Sequence, residues 1–178
     1  MSQRSVHRPA MDRLRQGVFS SLGNRITGAR VCDLFAGTGS YGLEALSRGA
    51  SQCRFIELNR NACSMIKENI KIVAKSMGVS RLNAKVLQGD AGKTLDLEEE
   101  PFDIVFVDPP YEMIESALPR LFPTIDRLLA SKGVVVFEMP GRIEIVPDGW
   151  QLGNRIGKGS DQPTACFYQR FPDAIETD

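Results

Sequence analysis

Apolar and polar positions follow two rhythms along this chain. Residues 11–22 place Met11, Leu14, Val18, Phe19 and Leu22 at helical spacing, and Gly23 stands where a C-cap belongs. ARVCDLFAG (29–37) then reads as a buried strand running into a glycine turn, SYGLEALSRGA (40–50) as a short helix closed by Gly49, and SQCRFIEL (51–58) as a second strand. Asn59 can cap a helix from Arg60 to about Met77, with Ala62, Met65, Ile66, Ile70 and Val73 on its inner face. AKVLQGD (84–90) is a third strand, and FDIVFVD (102–108), almost wholly apolar, has the pattern of a central parallel strand. Residues 113–129 carry a helical apolar stripe with Pro119 and Pro123 inside it, which predicts a kinked or split helix. KGVVVFEMP (132–140) is a fifth strand. GWQLGNRIGKG (149–159) and PTACFYQR (163–170), joined by a glycine-bearing turn, predict a closing hairpin.

Strands alternating with helices predict right-handed βαβ units and an α/β, doubly wound sheet. The 178 residues allow one domain with a sizeable core, divided as a basic arm and helix (1–22), a main domain (23–171) and an acidic tail (172–178). Lysine plus arginine equals aspartate plus glutamate, so total charge gives no hint of a nucleic-acid or membrane partner. Its distribution says more. Arg4, Arg8, Arg13, Arg15, Arg25 and Arg30 face only Asp12 within residues 1–30, while acids gather in Asp96–Glu100 and Asp173–Asp178. The basic run is either a solvated terminus or an arm that meets phosphates. Cys32, Cys53, Cys63 and Cys166 form no C-x-x-C pair and there is one histidine, so no metal site is expected. These cysteines, no signal-peptide core and no membrane-length apolar run predict a reducing, cytoplasmic setting.

DLFAGTGSYG contains Gly37-x-Gly39-x-x-Gly42 between the first strand and a helix, where missing side chains allow a tight turn and close approach of a ligand. Glu57, twenty residues after Gly37, ends the second strand, where a carboxylate can accept from both hydroxyls of a ribose. Together they predict a nucleoside-containing cofactor, and at this point NAD and S-adenosylmethionine both fit. S-adenosylmethionine has no phosphate and carries positive sulfonium and amino groups. Asp33 before the loop suits the amine, and Asp90 in QGDA can accept from an adenine amino group. Acids at three successive strand ends therefore favour S-adenosylmethionine.

FVDPPY (106–111) ends the fourth strand in an acid, two prolines and a tyrosine. Two prolines make a stiff turn without N–H donors. The Pro109 carbonyl and the Asp108 side chain are acceptors that suit the two hydrogens of an exocyclic amine on a base. Accepting both frees the nitrogen lone pair to attack a methyl, and Tyr111 offers a face for stacking. Asp108, Pro109, Pro110 and Tyr111 are thus the candidate catalytic segment. This chemistry does not separate adenine from guanine.

RPAMDRLRQGVFSSL (8–22), DLFAGTGSYGLEALSRGA (33–50), FIELNRNA (55–62) and FVDPPY (106–111) together resemble the RsmD-like family. These are bacterial small-subunit ribosomal RNA guanine-N2 methyltransferases, within the class I S-adenosylmethionine-dependent enzymes. The resemblance implies a Rossmann-like, seven-stranded, mostly parallel sheet with an antiparallel last strand. It implies methyl transfer from S-adenosyl-L-methionine to N2 of a guanine in small-subunit (16S) ribosomal RNA, within an assembled or assembling particle. It implies cofactor contacts at Asp33, Phe35, Gly37, Gly39, Glu57, Leu58, Asp90 and Ala91, and gives Arg4, Arg8, Arg13 and Arg15 RNA phosphates to hold; Arg13 and Arg15 can instead pair with acids of the domain. The chain departs from the family at Met11 (usually Thr or Ser), Gln16 (usually Glu) and Asn59 (usually Asp). A DNA adenine-N6 methyltransferase uses a similar D-P-P-Y segment but would need a DNA-recognition domain. A non-catalytic RNA-binding assembly factor would not need the intact acceptor set. An NAD oxidoreductase has no use for D-P-P-Y. A monomer is the expected state.

Overall fold

A computed structural model of the chain describes residues 4–91, 93 and 100–171, with backbone alone for residues 4–10, 115 and 117–120. The acidic stretch 94–99, the tail 172–178 and the side chains of Arg4 and Arg8 therefore lie outside the described residues.

Seven strands form one sheet: β1 (Arg30–Leu34), β2 (Gln52–Glu57), β3 (Ala84–Gln88), β4 (Phe102–Val107), β5 (Leu129–Pro140), β6 (Trp150–Ile156) and β7 (Pro163–Arg170), in the order β3-β2-β1-β4-β5-β7-β6. The first five pair in parallel, and β7 runs antiparallel to both β5 and β6. Helices α1 (Arg4–Leu22), α2 (Ser40–Ser47), α3 (Arg60–Ser76) and α4 (Ile114–Leu128) connect and cover the strands. Strand order reverses between β1 and β4, and open α/β sheets bind ligands in the crevice beyond the strand ends at such a reversal.

Alternation along the strands sorts the core into two layers. Val31, Ile104, Phe106, Val134 and Val136 pack with Leu14, Val18 and Phe19 of α1 and Ile66 of α3. Cys32, Leu34, Val105, Val107, Val135 and Phe137 pack on the other side against Ile114, Leu121, Phe122 and Ile125 of α4. All four cysteines are buried and none is in a disulfide.

Several elements differ from the sequence reading. Helix α1 starts at Arg4, seven residues before the apolar stripe, because extending an existing helix needs only one hydrogen bond per residue and no apolar face. Met65 is exposed, and Cys63 is buried in its stead; Cys63, Ile66 and Ala74 hold the inward line at helical spacing. Helix α4 is one element through Pro119 and Pro123 and is not split. Its buried stripe of Ile114, Leu121, Phe122, Ile125 and Leu128 offsets the missing prolyl N–H bonds, and Pro123 faces solvent. Strand β5 begins at Leu129, three residues early, with a register shift against β4 between Phe102 and Ile104.

Candidate active site

The glycine loop serves three purposes. Gly37 (φ +55°) has nothing within 4 Å of where a side chain would begin, so its backbone faces open space. Gly39 (φ +84°) is the N-cap of α2 in a left-handed conformation. Gly42 packs α2 onto β2: an added Cβ would stand 2.3 Å from Phe55 Cε1 and 2.6 Å from Cys53 Sγ. Phe35, with φ +60°, is the single non-glycine residue in the left-handed region among those described. Such a conformation costs on the order of 1 kcal/mol or more and recurs at ligand sites.

Carboxylates hold the loop. The Gly42 amide donates to Asp33 Oδ2 at 2.9 Å, so a buried acid satisfies an orphan N–H in the first turn of α2. Burial, with Glu57 nearby, pushes the Asp33 carboxyl up to about 7 despite that bond. Glu57 accepts from Gly37 N and from Asn59 N, each at 2.7 Å, and so locks the two loops together. The Asn59 side chain caps α3 by accepting from Asn61 N and Ala62 N. A cap needs only one such oxygen, so asparagine serves here as aspartate would.

Two cavities open at the strand ends. The larger, about 830 Å³, is lined by Phe35, Gly37, Glu57, Leu58, Asp90, Ala91 and the whole Asp108–Tyr111 segment, along with Met11 and Glu138. The smaller, about 210 Å³, is lined by Asp33, Arg15, Thr38, Ser40 and Tyr41. Met11, Phe35, Gly37, Asp108 and Glu138 belong to both. The cofactor and catalytic residues expected from the sequence thus line the two cavities, with the exception of Gly39, which starts α2 instead of lining a wall; of the arginines, Arg15 lines the smaller cavity and Arg13 neither. Leu58, an apolar side chain left 65% exposed, borders the larger cavity.

Asp108 follows β4, and its amide reaches Leu34 O at 3.4 Å across the strand reversal. Pro110 takes an extended conformation and its carbonyl accepts from Met113 N, starting a 3-10 turn at Tyr111. The Pro109 carbonyl receives no hydrogen bond from a described residue. Tyr111 is 38% exposed. Burial raises the Asp108 carboxyl well above the ordinary range, and Glu138 and Asp33 add to that.

Arg15 pairs with Asp12 Oδ1 at 2.7 Å and with Glu44 Oε2 at 2.9 Å, joining α1 to α2. Its charge is engaged within the domain, whereas Arg13 is exposed.

Sequence reasoning missed Glu138. It is the one charged residue in the buried half of β5, 4% exposed, and its Oε2 accepts from Tyr41 OH at 2.9 Å. Burial raises its carboxyl, while the Tyr41 hydroxyl and Arg15 pull it back. An acid closing a fully apolar strand was the available signal. Met11, counted in the helical apolar spacing of residues 11–22, is 41% exposed and lines the larger cavity. Asp161, from the β6–β7 turn, and Pro163, the first residue of β7, also border the larger cavity, and no pattern marked them.

Comparison with known proteins agrees with this architecture. Residues 1–169 match the family described as Conserved hypothetical protein 95. The chain is similar to ribosomal RNA small subunit methyltransferase D of Escherichia coli (strain K12), 32% identical over 167 residues, covering 92% of this chain and 79% of that protein. It is 31% identical over 152 residues to the protein of the same name from Haemophilus influenzae, covering 82% and 75%. A solved structure from Escherichia coli superposes with a TM-score of 0.75 at 32% identity, covering 92% of this chain and 87% of that one. With a doubly wound sheet, an acid-flanked glycine loop and a D-P-P-Y segment facing one crevice, and with relatives matched over most of their length, the chain belongs to the Conserved hypothetical protein 95 (RsmD) family of methyltransferases.

Proposed function

We propose that this protein transfers a methyl group from S-adenosyl-L-methionine to the exocyclic N2 amine of a guanine in small-subunit ribosomal RNA, acting as a monomer on an assembled or assembling particle. One observation carries the reading: Asp108 lines both cavities at the place where they meet. A donor held by the glycine loop and a base stacked on Tyr111 share that meeting point.

The walls suit the cofactor. Asp33, in the smaller cavity, offers a carboxylate to the methionyl amine. Glu57 and Asp90 offer acceptors to ribose and adenine, and Leu58 offers an apolar face. The first turn of α2 directs its Gly42 amide to Asp33 and not outward to a phosphate. When bound, S-adenosylmethionine supplies a methyl on a cationic sulfonium. Asp108 and the Pro109 carbonyl accept the hydrogens of the target amine, and Tyr111 holds the base plane. The amine proton becomes acidic only as the methyl arrives, so position and electrostatics dominate. A base paired in RNA must first be splayed out. Arg13 is placed to meet phosphate. The names of the Escherichia coli and Haemophilus influenzae relatives support the RNA class.

The test is Asp108→Ala. It is expected to abolish tritium transfer to small ribosomal subunits while calorimetric affinity for S-adenosylmethionine persists. Near-normal transfer by the variant overturns the assignment of Asp108. Incorporation by the wild-type protein into duplex DNA but not subunits overturns the substrate class, and mass-spectrometric mapping of the product fixes the base.

A further inference from the structure

The acceptor pair Asp108 and Pro109 reads an amine and nothing else on the base. Adenine and guanine both offer one, so a second group must discriminate. Guanine presents a ring N1–H beside its N2 amine, two donors on adjacent positions of one edge. Adenine presents a ring N1 lone pair beside its N6 amine. A site for guanine therefore needs a second acceptor next to the first.

Glu138 stands there. Val107 and Phe137 are register partners in the parallel β4–β5 pair, so Asp108 and Glu138 follow them side by side on neighbouring strands, about 5 Å apart along the ladder. Val107 and Phe137 point into the α4 layer, while Phe106 and Val136 point into the α1 layer. Alternation turns Asp108 and Glu138 to the α1 side together. Both line the larger cavity and both line the smaller.

The side chain is oriented as a recognition group. Tyr41, stacked on Phe106 at 4.9 Å between ring centroids, donates its hydroxyl to Oε2 at 2.9 Å. Oε1 receives no hydrogen bond from a described residue. Burial raises the Glu138 carboxyl, and the Tyr41 hydroxyl and Arg15, on the α1 side, act against that rise. A buried carboxylate with one oxygen clamped and the other bordering a cavity is an acceptor waiting for a donor.

We infer that Glu138 accepts the ring N1–H of the target guanine while Asp108 and the Pro109 carbonyl take its N2 amine, making Glu138 the residue that admits guanine and refuses adenine. This rests on the proposed guanine-N2 reaction. Discrimination follows from charge: the carboxylate attracts N1–H and repels a bare N1 lone pair.

The probe is small-subunit RNA ligated to carry either guanine or 2-aminopurine at the mapped target position and reconstituted into subunits. 2-Aminopurine keeps the C2 amine but has an unprotonated N1. It also lacks O6, a change that affects wild-type and variant protein alike. The wild-type protein is expected to prefer guanine in kcat/KM by about 10- to 100-fold, the range of one good base-edge contact. In Glu138→Gln the amide oxygen can still accept from Tyr41, which turns an N–H2 donor toward the base. That variant is expected to lose activity on guanine by a similar factor and to bring the guanine-to-2-aminopurine ratio to one or below, with affinity for S-adenosylmethionine unchanged. A variant that slows both substrates equally, as loss of packing or of a proton acceptor would, overturns the inference. So does a wild-type protein that treats the two bases alike, which needs no variant to fold. A wild-type protein that methylates neither refutes the parent reading and this one with it; one that methylates guanine without preferring it refutes this one alone.

Discussion

Gly42→Ala tests the packing that holds the glycine loop against the sheet. The added Cβ would lie 2.3 Å from Phe55 Cε1, 2.6 Å from Cys53 Sγ and 2.8 Å from Phe55 Cζ. Carbon contacts relax near 3.5–4.0 Å, so the overlap exceeds about 1 Å. Phe55 and Cys53 are both fully buried, and neither can swing toward solvent. Helix α2 must move outward. Overpacking of that size costs about 3 kcal/mol, the upper end of its usual range. The shift also stretches the 2.9 Å bond from Gly42 N to Asp33, a loss of about 1 kcal/mol for a bond to an ionisable group. Alanine regains about 1 kcal/mol of helix propensity. The net expectation is a loss of about 3 kcal/mol, read in urea unfolding as a lower midpoint with an unchanged slope. Phe55→Leu in the Gly42→Ala background makes room and is expected to restore part of it, a coupling visible in a double-mutant cycle. A Gly42→Ala protein within about 0.5 kcal/mol of wild type, or more stable, would refute the packing argument and leave propensity as the dominant effect.

Other outcomes follow from the same geometry. Tyr111→Ala is expected to lower kcat/KM by about 10- to 100-fold, the worth of one base stack, while Tyr111→Phe stays within about threefold; equal losses would exclude stacking. The Asp33 carboxyl, raised from 3.8 to about 7, stabilises the free protein fully below its unfolded value and loses that contribution as pH rises toward about 7. A cation seated against it expels its proton, so S-adenosylmethionine affinity by calorimetry is expected to climb up to about tenfold per pH unit between about 5 and 7 and then level, and Asp33→Asn is expected to flatten that slope. Arg13→Ala is expected to reduce the log–log salt slope of RNA binding by about 1, whereas Arg15→Ala leaves it unchanged because Asp12 and Glu44 already hold that charge; identical slopes for the two variants would contradict the assignment.

Strands β1, β2 and β4 were readable because a central parallel strand is buried on both faces and becomes a continuous apolar run. The cap at Asn59 was readable because its chemistry is local, within three residues of the amides it accepts. What depended on partners distant in sequence was not. Gly42 looked like a ligand-approach glycine, yet its space belongs to Phe55, thirteen residues on. Met65 satisfied a helical period but lies on the solvent side of the stripe, a difference that one residue's rotation of about 100° decides. The start of α1 carried a weak signal, since only Val6 and Ala10 are apolar within residues 4–10 and Pro9 reads as a helix boundary. Asp33 and Asp108 could be found because each leads into a glycine or proline pattern, and Glu57 because it ends the second strand twenty residues after Gly37. Glu138 adjoins none, and its importance appears only when parallel register sets it beside Asp108.

The placement of β7 between β5 and β6 orders the assembly of the chain in time. The five parallel strands up to Pro140 emerge first during synthesis, but β5 then has one bare flank. Its natural neighbour is residues 163–170, so Val135, Phe137 and Met139 wait with unpaired backbone until the hairpin arrives. Strand β6, though earlier in sequence, cannot cover that flank, because it docks only through β7. Arg170 completes the closure by donating to the carbonyls of Leu129 and Ala130 where β5 begins. A nascent chain halted before residue 163 would expose an apolar edge of the kind that pairs with other chains, so this fold depends on prompt completion or on a chaperone that shields β5 meanwhile.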